Sequence, residues 1–212
     1  MRVKLNTYFI KYFLKAHKRK LSPSYLRWKR NGFSSPSPQF VKTQVLKRNG
    51  IDSGTWVETG TYLGDTTKFL AQNFPNSKII SLEPQKTIYD FAKFRLRRNR
   101  NVLLVKGSSE EKFEEVISGL AGTVNFWLDG HYSGDITYQG DSISPIKKEL
   151  SLIEIYKSGM DQVVVFIDDI RDFDEDLNSG YPSRNVLVDW ANRNDFKWNI
   201  EQDIFIAKSG KK

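Results

Sequence analysis

The chain alternates short apolar runs with stretches in which apolar residues return every three or four positions. Runs at Thr55 to Glu58, Lys78 to Glu83, Val102 to Val105, Val124 to Leu128 and Val163 to Ile167 are too short for helices and predict five strands. Helical spacing is expected around Phe40, Val41, Val45 and Leu46, ending at Asn49-Gly50. It returns at Thr66 to Phe74, where Phe69, Leu70 and Phe74 face inward, and around Tyr89, Phe91, Ala92 and Phe94. A further helix begins with Ser109 as its cap, and Ser144 to Tyr156 forms another with Ile146, Leu150, Ile153 and Ile155 inward. A helix around Val186 to Ala191 precedes two apolar runs, Trp198-Asn199-Ile200 and Ile204 to Ala207, which read as a closing antiparallel pair. Strands alternating with helices imply a mostly parallel sheet covered on both faces.

The first part of the chain is built differently. Leu5, Tyr8, Phe9, Tyr12, Phe13 and Ala16 recur at helical spacing opposite Lys4, Lys11, Lys15 and Lys18. Residues 1 to 50 hold 13 Lys and Arg and no acid, whereas the whole chain is +8, so the remainder is mildly acidic. The stretch Ser34-Ser35-Pro36-Ser37-Pro38 punctuates the two. A basic amphipathic extension over 1–37 and one α/β domain over 38–212 are expected. The extension suits an anionic membrane surface through residues 1–33, its own domain or a twin subunit in a homo-oligomer. His17 lies on that basic helix with no motif around it. Nucleic acid is not the expected partner, because Lys18-Arg19-Lys20 and Arg27-Trp28-Lys29-Arg30 come without a recognition motif. Absence of cysteine excludes disulfides, zinc-thiolate sites and thiol nucleophiles. No apolar run approaches the roughly 20 residues needed to span a bilayer, and no signal peptide is evident, so a cytoplasmic location is expected, with peripheral association at the inner face of the cell membrane through the extension.

Chemistry gathers where strands end. Glu58 closes the first strand and leads into a turn through Gly60, Thr61, Tyr62 and Gly64, where the glycines let the backbone turn tightly and approach a ligand. The spacing is neither Gly-x-Gly-x-x-Gly nor a P-loop. An acid here repels phosphate and receives an ammonium, which points to S-adenosylmethionine. Glu83 closes the second strand roughly 20 residues on, the place from which an acid takes both hydroxyls of a ribose. Asp129 and the Asp168-Asp169 pair follow the fourth and fifth strands. Three converging carboxylates repel unless a cation or a proton intervenes, and all-oxygen ligands suit Mg²⁺ or another oxygen-preferring divalent ion. His131 is placed to act as general base, metal ligand or loop hydrogen-bond donor. Tyr132 and Tyr138 in the same loop are candidates to stack on a sugar. No Gly-x-Ser-x-Gly is present, which removes the α/β-hydrolase reading.

The blocks Val57-Glu58-Thr59-Gly60-Thr61-Tyr62-Leu63-Gly64-Asp65-Thr66, Ser81-Leu82-Glu83, Phe126-Trp127-Leu128-Asp129-Gly130-His131 and Ile167-Asp168-Asp169 resemble class I S-adenosylmethionine-dependent methyltransferases. More narrowly, they resemble the macrocin-type sugar O-methyltransferases and related bacterial polysaccharide-locus proteins. The resemblance runs from about Pro38 to Phe173. It implies a Rossmann-like fold with a seven-stranded sheet. It implies Glu58, Gly60 and Thr61 against the methionine part of the cofactor, Glu83 on the ribose, and Asp129, Asp168 and Asp169 on Mg²⁺. Ser108 stands where the family has an acid that helps hold adenine, and the loop from His131 to Pro145, with Asp141 in it, is longer than the family's turn. The function so implied is methyl transfer to a hydroxyl of a sugar or polysaccharide precursor, with Asp129 and His131 as catalytic groups. A binding subunit that keeps the fold without transfer is one rival. An RNA methyltransferase anchored by the basic extension is the other.

Overall fold

A computed structural model describes residues 22–129, 144–173 and 180–211. Its seven strands are β1 (Thr55–Thr59), β2 (Lys78–Glu83), β3 (Val102–Lys106), β4 (Gly122–Leu128), β5 (Met160–Ile167), β6 (Lys197–Glu201) and β7 (Ile204–Lys208). They form one sheet in the order β3-β2-β1-β4-β5-β7-β6, parallel except for β7, which runs antiparallel to both its neighbours. Helices α1 (Pro23–Arg30), α2 (Gln39–Asn49), α3 (Asp65–Asn73), α4 (Lys86–Leu96), α5 (Ser109–Ile117), α6 (Ile146–Tyr156) and α7 (Arg184–Arg193) surround it. All five strands expected to be parallel form.

Because side chains alternate along a strand, each buried strand feeds two cores. Val57, Phe126, Leu128, Val165 and Ile167 pack under α5, α6 and α7 with Phe113, Leu150 and Leu187. Trp56, Trp127, Val164 and Phe166 pack on the other face with Val45 and Leu46 of α2 and Leu70 of α3. Trp56 stacks on Phe166 with ring centres 5.5 Å apart.

Several expectations are corrected. The cap of α5 is Ser108, not Ser109. Its hydroxyl accepts from the Glu111 N–H while the Glu111 carboxylate accepts from the Ser108 N–H, and Ser109 has no glutamate three residues on to reciprocate. Ile155 is 63% exposed, and Leu152 is buried in its place, because α6 turns Ile146, Glu149, Leu150 and Ile153 inward. Phe69 is only partly buried. The amphipathic segment from Leu5 to Ala16 lies outside the described residues, as does His17. The part from Ser22 onward is folded: α1 buries Trp28 and sets Tyr25 against Phe40 of α2.

Candidate active site at the carboxyl edge of the sheet

Strand register sets the acids level. Thr59 pairs with Leu82 and with Leu128, and Leu128 pairs with Ile167. Gly60, Glu83, Asp129 and Asp168 are therefore the next residues out of the sheet at one edge. Side-chain parity then decides their neighbours. Glu58 and Asp168 lie on the side of Trp56 and Phe166 and meet α3 and α2, whereas Thr59 lies on the other side and meets Glu149 of α6.

Glu58 is fully buried. Its Oε2 accepts from Thr67 Oγ1 at 2.5 Å and Ser81 Oγ at 2.6 Å, while Oε1 has no partner. Burial pushes the carboxyl up to about 7 against the pull of those two hydroxyls, and Glu83 adds to the rise. The turn that follows uses left-handed backbone at Gly60 (φ 87°), Tyr62 (φ 47°) and Gly64 (φ 77°). At Gly64 a side chain would also meet Leu96 of α4 at 3.0 Å. The Gly60 and Thr61 N–H groups both donate to the Leu82 carbonyl, and the Thr61 hydroxyl lies 2.5 Å from that of Ser81. Glu83 accepts from the Tyr62 N–H at 2.8 Å and the Gln85 N–H at 3.0 Å. Each of its oxygens retains a lone pair for a ligand. Ser108, by contrast, spends its hydroxyl and its N–H on the capping box.

One strand away the acids are held by cations. Lys42 of α2, itself buried, places Nζ 2.7 Å from Asp168 and closer still to Asp169. Burial opposes its charge, but the two aspartates outweigh that and raise its pKa. Asp169 has left-handed backbone and also accepts from Arg171 at 2.6 Å. Although partly buried, which pushes its pKa up, it is held below the ordinary range by Arg171 and Lys42. Arg171 pairs in turn with Asp203 in the β6–β7 turn, whose carboxylate also accepts the Arg171 N–H. Asp168 rises to about 6 because burial outweighs Lys42. Asp129, whose N–H donates to Thr59, is raised well above its usual range by burial and then by Asp168 and Asp169.

A small, partly open cleft lies beside this cluster, lined by Asp168, Glu149, Pro145, Phe173 and Tyr181 among others. Phe173 and Tyr181 meet edge to face at 5.0 Å and form its aromatic wall. Glu149 is buried there, hydrogen-bonded by the Ser109 and Thr59 hydroxyls, and its Oε1 has no partner. Burial lifts it to about 7. Sequence reasoning passed over both Lys42 and Glu149. Nothing near Lys42 signals its role, since Asp168 lies more than a hundred residues away in the chain. Glu149 did carry a signal: it shares the inward face of α6 with Ile146, Leu150 and Ile153.

Two expected ligands fit unequally. An ammonium suits the orphaned Oε1 of Glu58, and a diol suits Glu83. For Mg²⁺ the donor set does not fit as arranged. Asp169 is committed to Lys42 and Arg171, Asp168 to Lys42, and among the described residues no three His, Cys, Asp or Glu side chains are grouped to hold a metal ion. His131, Tyr132, Tyr138 and Asp141 lie outside the described residues.

Neither protein-family models nor curated proteins match the chain. Solved structures do. A precorrin-6y C5,15-methyltransferase from Geobacter metallireducens superposes with a TM-score of 0.55 at 14% identity, over 84% of this chain and 92% of its own. A protein described as an rRNA-methylase from Clostridium thermocellum gives 0.52 at 14%, over 81% and 95%. One described as a caffeoyl-CoA O-methyltransferase from Staphylococcus aureus gives 0.51 at 18%, over 94% and 98%. The fold is that of class I methyltransferases. At these identities the likeness is one of fold, and function has to be argued from the site. Among the described residues no helix is long and apolar enough to cross a membrane.

Proposed function

We propose that the chain is an S-adenosylmethionine-dependent O-methyltransferase acting on a hydroxyl of a sugar or polysaccharide precursor. The observation that carries the reading is the buried, unpartnered Oε1 of Glu58 beside the glycine turn, an acceptor that a cationic donor would match. Bound S-adenosylmethionine supplies a sulfonium methyl open to attack by an oxygen. Glu58 receives the ammonium of the amino acid part, and Glu83 takes the ribose hydroxyls on the lone pairs its two amide bonds leave. Asp129, with Asp168 and its lysine beside it, accepts a hydrogen bond from the acceptor hydroxyl and takes its proton, and its raised pKa suits it to hold that proton near neutrality. Phe173 and Tyr181 offer an apolar wall for a sugar face. The chain's main contribution is to hold both reactants in line.

His131 remains the expected partner in proton removal. In this reading Lys42 supplies the cation that the resemblance gives to Mg²⁺, and a metal-assisted variant requires Lys42 to leave Asp168. The division at residues 37 and 38 and a peripheral cytoplasmic location through residues 1–33 belong to the same proposal.

The test is calorimetric titration of S-adenosylmethionine and S-adenosylhomocysteine, with and without Mg²⁺. Micromolar binding that is lost in Glu58→Ala, followed by methylation of a sugar acceptor in a screen, is the expected result. Folded protein that binds neither ligand would overturn the reading and favour a binding subunit. Mg²⁺ binding that releases Lys42 would restore the metal-assisted form.

A further inference from the structure

The domain's mildly acidic composition has one sharp exception. Between Lys86 and Lys106 there are seven Lys and Arg against the single Asp90, which pairs with Lys86. This stretch forms α4, the loop after it and β3, the strand at the sheet edge. Ile88, Ala92 and Leu96 hold α4 to the domain. Away from that face Phe91 is 51% and Phe94 65% exposed, two large rings three residues apart on the surface of the helix. Just past the end of the helix, Arg97 lays its guanidinium over the Phe94 ring at 4.1 Å. Lys93, Arg98, Arg100 and Lys106 of the same stretch are exposed as well.

We propose that the outer face of α4 docks on an anionic lipid surface, with Phe91 and Phe94 entering the headgroup region and the surrounding Lys and Arg meeting lipid phosphates. Apolar side chains rimmed by cations are the pattern of a surface-lying helix, and each cation near an anionic leaflet adds to binding. RNA fits less well, since a stacking platform needs an open aromatic face and Arg97 covers one face of Phe94. The contact is separate from the extension over residues 1–33 and does not depend on the proposed methyl transfer. Arg95 ties α4 to the turn by donating to the Leu63 carbonyl at 2.7 Å and pairing with Asp65. Docking through α4 therefore orients the catalytic edge relative to the lipid.

The test is co-sedimentation of the full chain with vesicles of phosphatidylcholine mixed with phosphatidylglycerol, against phosphatidylcholine alone. Phe91→Ser/Phe94→Ser and Arg97→Glu/Arg98→Glu are each made in the full chain, with unaltered melting as the control for folding. Preference for the anionic vesicles, weakened about tenfold or more in both variants, is expected. Variants that bind as the wild type does would overturn the proposal and leave any adsorption to the extension. So would a chain that ignores vesicles but binds poly(U) through these residues.

Discussion

The two acid sets at the sheet edge are treated in opposite ways. Glu58 and Glu83 meet only neutral donors, hydroxyls on one oxygen of Glu58 and backbone amides on Glu83. Asp168 and Asp169 are satisfied by an ammonium and a guanidinium. Neutral donors leave the first pair's charge available, so that half attracts a cation. Paired donors cancel much of the second set's charge, so that half suits a neutral hydroxyl. Fold alone does not dictate this asymmetry. It follows from whether α3 or α2 faces the strand end and whether it offers threonine or lysine there.

The largest effect expected from breaking the contrast is at Glu58. Glu58→Gln should weaken S-adenosylmethionine binding by roughly ten- to a hundredfold in calorimetry, the range for a charge-assisted hydrogen bond, without lowering stability. With its carboxyl near 7, wild-type affinity should also fall from pH 8 to pH 6 as Glu58 protonates. A Glu58→Gln protein that binds as tightly as the wild type would remove the charge argument.

Removing the cation from the other half comes next. Lys42→Met leaves the buried Asp168 carboxylate without its cation and Asp169 with Arg171 alone, and should cost about 3 kcal/mol in denaturant unfolding at pH 7. The loss should shrink at pH 5, where Asp168, with its pKa near 6, is protonated in the folded state. Adding Mg²⁺ sharpens the comparison. Recovery of stability in Lys42→Met but not in wild type would make lysine and metal alternatives at one place.

Glu149 tests the cleft between the halves. Its folded pKa, near 7, lies above the unfolded value of 4.5, so in that window the folded state binds the extra proton. Its contribution is full below about pH 4.5 and is lost as pH rises through 7, on the order of 3 kcal/mol. Glu149→Gln should therefore flatten the decline in melting temperature between pH 4.5 and 8. An unchanged slope would mean that Glu149 is already ionised or shared with a buried donor.

The smallest effect is expected at Ser108. Ser108→Ala should cost about 1 kcal/mol through the lost cap and leave cofactor affinity unchanged. A fall in affinity as well would give Ser108 the adenine contact that the resemblance assigns to an acid.

How far the molecule was legible in its sequence depended on how local each cause was. Strands announce themselves by apolar runs, and β2 coincides with its expected span from Lys78 to Glu83. The positions of Glu58, Glu83, Asp129 and Asp168 at one edge follow from parallel pairing alone. The partners of those acids do not, because they come from the helix layer and depend on side-chain parity. Lys42 belongs to an ordinary helix end until Asp168 is folded against it. The Ser108 cap was legible and misjudged, since the decisive mark was Glu111 three residues later. Exposure of Phe91 and Phe94 was hidden for a different reason. Composition cannot tell a buried aromatic from one that waits for a partner.

The clamp of Asp203 on Arg171 also sets an order in time. All residues that donate hydrogen bonds to Glu58 and Glu83 have been synthesised once α4 begins, whereas Asp169 lacks its braced arginine until the β6–β7 turn has been made. At about 5–20 residues per second, roughly ten seconds of synthesis separate the two events. A nascent chain thus carries the side chains of its cation-seeking half well before it has those that brace the other half.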